Sequence, residues 1–421
     1  MAELALTIKL NSLIEQYTTT NPKSKVAFGK AQEVLPAGST RSVLYSTPFP
    51  LVIDSAEGCT ITSLDGQKYI DFVSDFSAGL YGHSHPVIHK AIHDALAKGF
   101  NLGGIITQEA QLGQILCDRF PSIERVRFCN SGTEANMYAL ATALEYTKRK
   151  KVLVFKEGYH GGTLSFSAAG NSSPLNLPHE YVFGTYNDIE TTRPLIDNTI
   201  GAILIEPMQA VGGMKPSSKD FLQSLRDAAD KYGVVLIFDE VVTSRFHFHG
   251  LQGAWKVTPD LTTLGKYLGG GFSFGAFGGR AQIMSLFDPT AAGTQTLSHS
   301  GTFNNNVFSM TAAVAASQLV TQRSLSRING LGDRLREKGN EIAHAAGYES
   351  IEFTGYGSAV GVHFHGSSDA DLRDAFYFHL IREGIFIGRR GFISLNLQHT
   401  DAEIDRVLKA IQQFVEDYSQ I

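Results

Sequence analysis

The chain has 421 residues, 43% of them hydrophobic and 18% charged, with 42 glycines and a formal net charge of −5. That length suits two domains with a substantial core, and the mild acidity without a long run of one sign argues against nucleic-acid or anionic-membrane partners. Cys59, Cys117 and Cys129 are widely spaced and odd in number, so they offer neither a disulfide framework nor a zinc pattern and point to a reducing interior.

The N-terminus lacks the basic start and long apolar run of a signal peptide, and no stretch is long and apolar enough to span a bilayer. The expected location is cytoplasmic. Residues 1–40 read as a helix followed by a loop ending in Pro36-Ala37-Gly38. Residues 51–53 and 60–62 read as short strands joined by a turn over 54–58, and Asp65-Gly66 turns the chain into 68–70.

From about residue 110 the pattern alternates. Helix-like 109–120, 133–147 and 219–231 are interleaved with apolar runs at 126–128, 152–155, 200–205 and 234–238. Continuous β-branched runs separated by helices indicate a mostly parallel sheet covered on both faces. Past residue 315 the texture shifts to a helix at 331–345, strands at 351–353 and 360–364, and a last helix from 401 to 418. The expected architecture is α/β: an N-terminal segment (1–70) joining a smaller α+β domain (316–421), with a large domain at 71–315.

In open parallel sheets, ligands bind beyond the carboxyl ends of the strands. Asp239 closes one apolar run, where a carboxylate is costly unless paired. A pyridinium nitrogen is a suitable partner, because an ionised Asp keeps that ring protonated and electron-poor; capping of the next helix is the alternative. Lys266 lies in an apolar segment before Gly269-Gly270-Gly271, surroundings that lower an amine's pKa and favour imine formation. A solvated surface lysine is the alternative, and the spacing does not match a P-loop. Ser131-Gly132-Thr133-Glu134 follows a strand and opens a helix, so its N–H groups and hydroxyls suit an anion; the same tetrapeptide also fits a capping box. Tyr159 follows another strand and could lie against a planar ring, or be a core aromatic. Phosphate loop, aromatic, carboxylate and lysine thus occur in order, each at or just after a strand.

With these come Gly82-His83-Ser84-His85-Pro86, Asn130–Asn136 (NSGTEAN), Tyr159-His160-Gly161-Gly162, Glu206-Pro207, Asp239-Glu240-Val241, Pro259–Gly271 (PDLTTLGKYLGGG) and Gly301-Thr302-Phe303. Together they resemble the class III, fold type I aminotransferases that use pyridoxal 5'-phosphate, in the subgroup near glutamate-semialdehyde aminomutase. The resemblance runs from about residue 30 to the C-terminus. It implies a large domain built on a seven-stranded type of sheet, and Lys266 holding the cofactor as a Schiff base. It implies Val241 on the ring face opposite Tyr159, Glu206 near the cofactor on the substrate side, and Gly301 and Thr302 reaching the phosphate of a neighbouring subunit. The last point implies a homodimer with shared active sites.

Residues 36–44, with Arg41, look like the corresponding stretch of β-phenylalanine (β-amino acid) aminotransferases, where an arginine binds the substrate carboxylate; a guanidinium fork suits that contact. Arg390, in an Arg-Gly pair which that family also carries, is a second substrate candidate, and Arg245 a third. Tyr45, Phe49 and Tyr81 are aromatic pocket candidates. His89 and His93 at helical spacing, and His247 and His249 alternating as on a strand, have no third ligand nearby and carry no metal expectation. The expected partners are an amino donor and a keto-acid acceptor. The expected reaction is transamination of a β-amino acid or related amine. The alternatives are an isomerase of the same fold (aminomutase or racemase) and a non-catalytic binding protein, against which Lys266 and Asp239 argue.

Overall fold

Three short strands open the first sheet as an antiparallel meander: an exposed β1 (Ile53–Glu57), then β2 (Thr60–Ser63) and β3 (Lys68–Asp71), whose alternate side chains are buried. The computed structural model describes residues 2–291 and 296–419. Two helices, Ala2–Thr20 and Pro22–Gln32, precede the meander, where the sequence suggested a single helix and a loop. Pro22 at the start of the second helix explains the break, since proline has no N–H to continue the first. The expected strand at 51–53 also begins later. Ser55–Glu57 pair with Thr60–Thr62, and the reversal falls at Gly58, with φ +57°.

Contacts divide the chain into two units, one running to His85 and resuming at Arg327, the other Pro86–Ser326. The first extends past residue 70 because His83 is tied to the meander. Its backbone exchanges hydrogen bonds with Gly58 (3.1 and 2.7 Å), and its Nε2 lies 2.9 Å from Asp71 Oδ2.

At its centre, the second unit is built on apolar runs with no polar alternation, at 152–155, 200–205 and 235–238. Its strands are β4 (Arg125–Cys129), β5 (Lys151–Phe155), β6 (Glu180–Gly184), β7 (Ile200–Ile205), β10 (Val235–Asp239), β11 (Leu261–Gly265) and β12 (Gly275–Gly279), with a two-residue ribbon of β8 (Met208–Gln209) and β9 (Lys215–Pro216) apart. The seven strands lie in the order β4-β12-β11-β10-β7-β5-β6, parallel except where β12 runs against β4 and β11. The period-two pleat sends alternate side chains to opposite faces. Val152, Val154, Leu204, Val235 and Ile237 pack with Ala139, Leu140 and Ala143 of helix Gly132–Thr147. Leu153, Phe155, Ile203, Leu236 and Phe238 pack with Phe221, Leu222 and Leu225 of helix Lys219–Tyr232. Each such buried side chain contributes about 1.5–3 kcal/mol, so the two helices are held by their apolar stripes. Helix Val307–Ser317 packs on helices Pro86–Lys98 and Thr107–Arg119, so this unit continues past residue 315.

The first unit is completed by residues after Arg327. Antiparallel β13 (Ile351–Tyr356), β14 (Ala359–Phe364) and β16 (Phe392–Ser394) form a small sheet, while β15 (Ile385–Phe386) adds in parallel to β3. Helices Asp369–Arg382 and Asp401–Tyr418 bury Phe376 and Phe414 in its core, and a Thr400–Glu403 capping box starts the last helix. Among the described residues, no helix is long and apolar enough to cross a membrane.

Candidate active site

Five strand ends of the second unit carry the chemistry. Asp239 terminates β10 and is 5% exposed. Its Oδ1 accepts the Val241 N–H (3.0 Å), while Oδ2 accepts from Asn136 Nδ2 and His160 Nδ1, each at 2.8 Å. Two N–H donors and the His160 ring nitrogen thus converge on one buried carboxylate and fix its orientation. Asn136 is itself fixed. It accepts from Thr263 Oγ1 (2.7 Å) and donates to the His160 carbonyl (3.2 Å). Neither Asn136 nor His160 receives a role from sequence, although both stand inside the quoted motifs. The legible signal is Asn136, a polar residue three and four positions before Ala139 and Leu140 on the buried face of its helix.

Lys266 follows β11, the strand adjacent to β10, and Asp239 is paired in register with Thr263 three residues before it. The lysine has φ +53°, a left-handed conformation that costs a non-glycine residue about 1–2 kcal/mol. The next residue anchors it. Tyr267 is fully buried and its hydroxyl accepts from Arg119 Nη2 at 2.8 Å. Arg119 also bonds the carbonyls of Ser244 and Phe248.

The anion cradle lies at the end of β4. Ser131 caps helix Gly132–Thr147 by accepting the Glu134 N–H (3.1 Å), and Glu134 accepts the Asn130 N–H in return (2.8 Å). Ser131 is therefore a helix cap, but Glu134 bonds the residue before it and not the Ser131 N–H, so the reciprocal capping box is not formed; the cap itself is compatible with an anion site. The cap leaves the Ser131 hydroxyl proton for a second partner. The N–H groups of Gly132 and Thr133 lie ahead of the first helical bond, from Ala135 to Ser131 (3.0 Å). A Cβ at Gly132 would meet both γ-methyls of Val241 at 3.0 Å, and one at Gly161, where φ is +108°, would lie 2.2 Å from Thr133 Oγ1. Val241 and the Tyr159–Gly162 loop thus close on the cradle, and glycine is what allows both approaches.

Tyr159 belongs to that loop. The residue is 44% exposed, so it does not fill the core. Its N–H is held by Glu206 Oε1 (2.8 Å), and Glu206 Oε2 accepts the Ala210 N–H (2.9 Å). Burial pushes the Glu206 carboxyl up to about 7; His160 opposes the shift, the Asp239 charge adds to it, and the two N–H groups oppose it. Glu206 therefore organises the loop that carries Tyr159.

Thr302 is exposed and lines a cleft of about 360 Å³ with Asn101, Ile105 and Phe303. In the first unit, Arg41 Nη1 lies 2.7 Å from Asp75 Oδ1, with the guanidinium carbon 5.3 Å from the Phe76 ring centre. Arg390 is exposed, whereas its neighbour Arg389 is engaged with Asp374 and Ser46. Arg245 has no exposed surface, which removes it as a substrate-facing group. Of the aromatic pocket candidates, Phe49 and Tyr81 are buried and Tyr45 is exposed. His247 and His249 lie in a turn region, not on a strand, and His249 Nδ1 bonds the Arg119 carbonyl. No cluster of metal-ligating groups occurs among the described residues.

A helix-start cradle beside an exposed aromatic residue, a buried carboxylate and a lysine just after the neighbouring strand fits a flat, phosphorylated pyridine aldehyde. Comparison with known proteins agrees. The model of the family "Aminotransferase class-III" matches residues 43–415. The chain is 43% identical to a β-phenylalanine transaminase of Variovorax paradoxus, covering 99% of this chain and 98% of that protein. It is 33% identical to a glutamate-1-semialdehyde 2,1-aminomutase of Desulforamulus reducens, covering 92% and 96%. The crystal structure of a β-phenylalanine aminotransferase from Variovorax paradoxus superposes with a TM-score of 0.95 at 42% identity over 99% of both chains. An ω-transaminase from Sphaerobacter thermophilus does so at 0.87 and 33%, over 94% and 98%. The chain belongs to the class-III aminotransferases, enzymes that work with pyridoxal phosphate.

Proposed function

We propose that this aminotransferase takes its amino group from a β-amino acid carrying an aromatic or bulky apolar side chain and passes it to a 2-oxo acid. The observation that supports this reading is the near full-length likeness to a β-phenylalanine transaminase, together with Arg41 in the stretch at 36–44.

Ser131, Gly132 and Thr133 would hold the phosphate, Tyr159 and Val241 the two ring faces, Asp239 the ring nitrogen, and Lys266 the aldehyde carbon. The cofactor, when bound, supplies a carbonyl that condenses with amines and a ring that accepts the electron pair left by a departing proton. Lys266, once displaced by the substrate amine, is the base that takes that proton and the acid that returns it. Asp239, held in place by Asn136, His160 and the Val241 N–H, would face the ring nitrogen. Arg41 and Arg390 are the candidates for the substrate carboxylates.

The working unit is proposed to be a cytoplasmic homodimer. Thr302 shares its cleft with the exposed apolar side chains of Leu102, Ile105 and Phe303, with Ile105 94% exposed; an apolar patch of this kind suits burial against a second copy.

The test is a half-reaction with β-phenylalanine and no acceptor. One equivalent of keto product per active site supports transamination. Continuous conversion of a single amine into an isomer, with no acceptor present, would replace it with an isomerase, the activity named for the aminomutase relatives.

A further inference from the structure

Four consecutive non-glycine residues, Ser74, Asp75, Phe76 and Ser77, have φ of 46°, 46°, 52° and 74°. L-residues rarely hold a left-handed turn, because each Cβ crowds the following carbonyl. Here the surroundings impose it. Ser74 is fully buried, its N–H donates to Asp71 Oδ1 (3.1 Å), and its hydroxyl accepts from Asn396 Nδ2 (3.0 Å). The turn closes through the Gly79 N–H on the Ser74 carbonyl (2.8 Å), and the Phe76 ring lies 5.2 Å from that of Phe392.

The turn fixes two groups against one arginine. Phe76 lies beneath the Arg41 guanidinium and Asp75 accepts from one of its nitrogens. That ion pair is open to solvent, with 45% and 59% of the two side chains exposed, and such pairs are weak. A fork held by one oxygen, with the remaining donors of the guanidinium still to be matched, suits a stronger bidentate carboxylate.

We propose that Asp75 is the resident counter-ion of Arg41, exchanged for the carboxylate of the incoming substrate, and that it thereby sets how tightly carboxylate substrates bind. The proposal rests on the reading of Arg41 given above. Asp75 keeps the guanidinium aligned over Phe76 and neutralised between turnovers. The substrate carboxylate must displace it, while an amine without a carboxylate does not.

The experiment compares D75N and R41A with the wild-type holoenzyme, using β-phenylalanine and the carboxylate-free 1-phenylethylamine as donors. Asparagine tolerates left-handed backbone, so D75N keeps the turn, and its near-UV circular dichroism should match the wild type. The expected result for D75N is a KM for β-phenylalanine lower by about two- to fivefold, the range open to an exposed ion pair, with the change confined to that KM. The inhibition constant of 3-phenylpropanoate should fall in parallel. If R41A raises the KM for β-phenylalanine selectively while D75N leaves it unchanged or raised, the counter-ion exchange is wrong and the Arg41 reading stands. If R41A weakens both donors equally, the Arg41 reading fails first and takes the exchange with it.

Discussion

His160 Nδ1 lies 2.8 Å from Asp239 Oδ2, and both side chains are buried at the mouth of the parallel sheet. The pair works with Asn136, whose amide reaches the same oxygen. A hydrogen bond to a charged group is worth about 1.5–3 kcal/mol, so H160A should weaken cofactor binding and turnover by roughly ten- to a hundredfold. N136A should act in the same direction. Equilibrium binding of pyridoxal phosphate to the apo-protein measures this. Wild-type affinity in both variants would remove these side chains from the support of Asp239.

Lys266 combines the amine proposed to hold the cofactor with a strained backbone. K266A should lose at least a thousandfold in turnover, and borohydride should trap no cofactor on residue 266. The left-handed φ of +53° permits a second comparison. K266G relieves strain that K266A retains, so it should be more stable by about 1 kcal/mol in chemical denaturation. Equal stability of the two variants would show that the backbone relaxes without the side chain.

Gly161 tests the contact between the Tyr159 loop and the cradle. A methyl group there would sit 2.2 Å from Thr133 Oγ1, on a backbone with φ +108° that alanine resists. G161A should therefore lower stability by about 1–3 kcal/mol and weaken binding of the phosphate end. Binding of inorganic phosphate to the apo-protein reads the second effect. A variant that melts and binds like the wild type would mean the loop shifts freely.

Glu206 gives a pH dependence. Its carboxyl rises from 4.5 to about 7 in the folded chain, chiefly through burial. Between those values the folded state binds more protons than the unfolded one, so this group's contribution to stability falls as pH rises and levels off above about 7. In E206Q that contribution is absent, although one of the N–H groups of Tyr159 and Ala210 loses its acceptor, at a cost of about 1–3 kcal/mol. The gap between wild type and E206Q, measured by urea denaturation of the apo-proteins, should narrow from pH 5 to pH 8. A constant gap would contradict the raised carboxyl.

Much of the fold was legible. The runs at 152–155, 200–205 and 234–238 announce strands because a chain segment with no polar face must be covered on both sides. Two strands beside them were not. Leu261–Gly265 carries two threonines and ends in glycine, and Gly275–Gly279 has three glycines in five residues. Their strand character comes from pairing with each other and with Arg125–Cys129, not from local propensity. The turn expected over 54–58 narrows to its last residue, Gly58, because cross-strand register draws residues 55–57 into the strand.

The sequence alone determined the inventory: an acidic residue at a strand end, a lysine in an apolar segment before three glycines, a Ser-Gly-Thr helix start, an aromatic after a neighbouring strand, and their order. Periodicity and local turn chemistry report on each residue's own surroundings, and that suffices for such an inventory. Only tertiary structure decided that Asp239 shares its oxygen with His160 and Asn136, which lie 79 and 103 residues away along the chain. The order in which strands pair chooses contacts at that separation, and no local pattern encodes it. The left-handed turn that aims Asp75 at Arg41 is of the same kind, because it exists where buried neighbours outweigh the intrinsic preference of four L-residues.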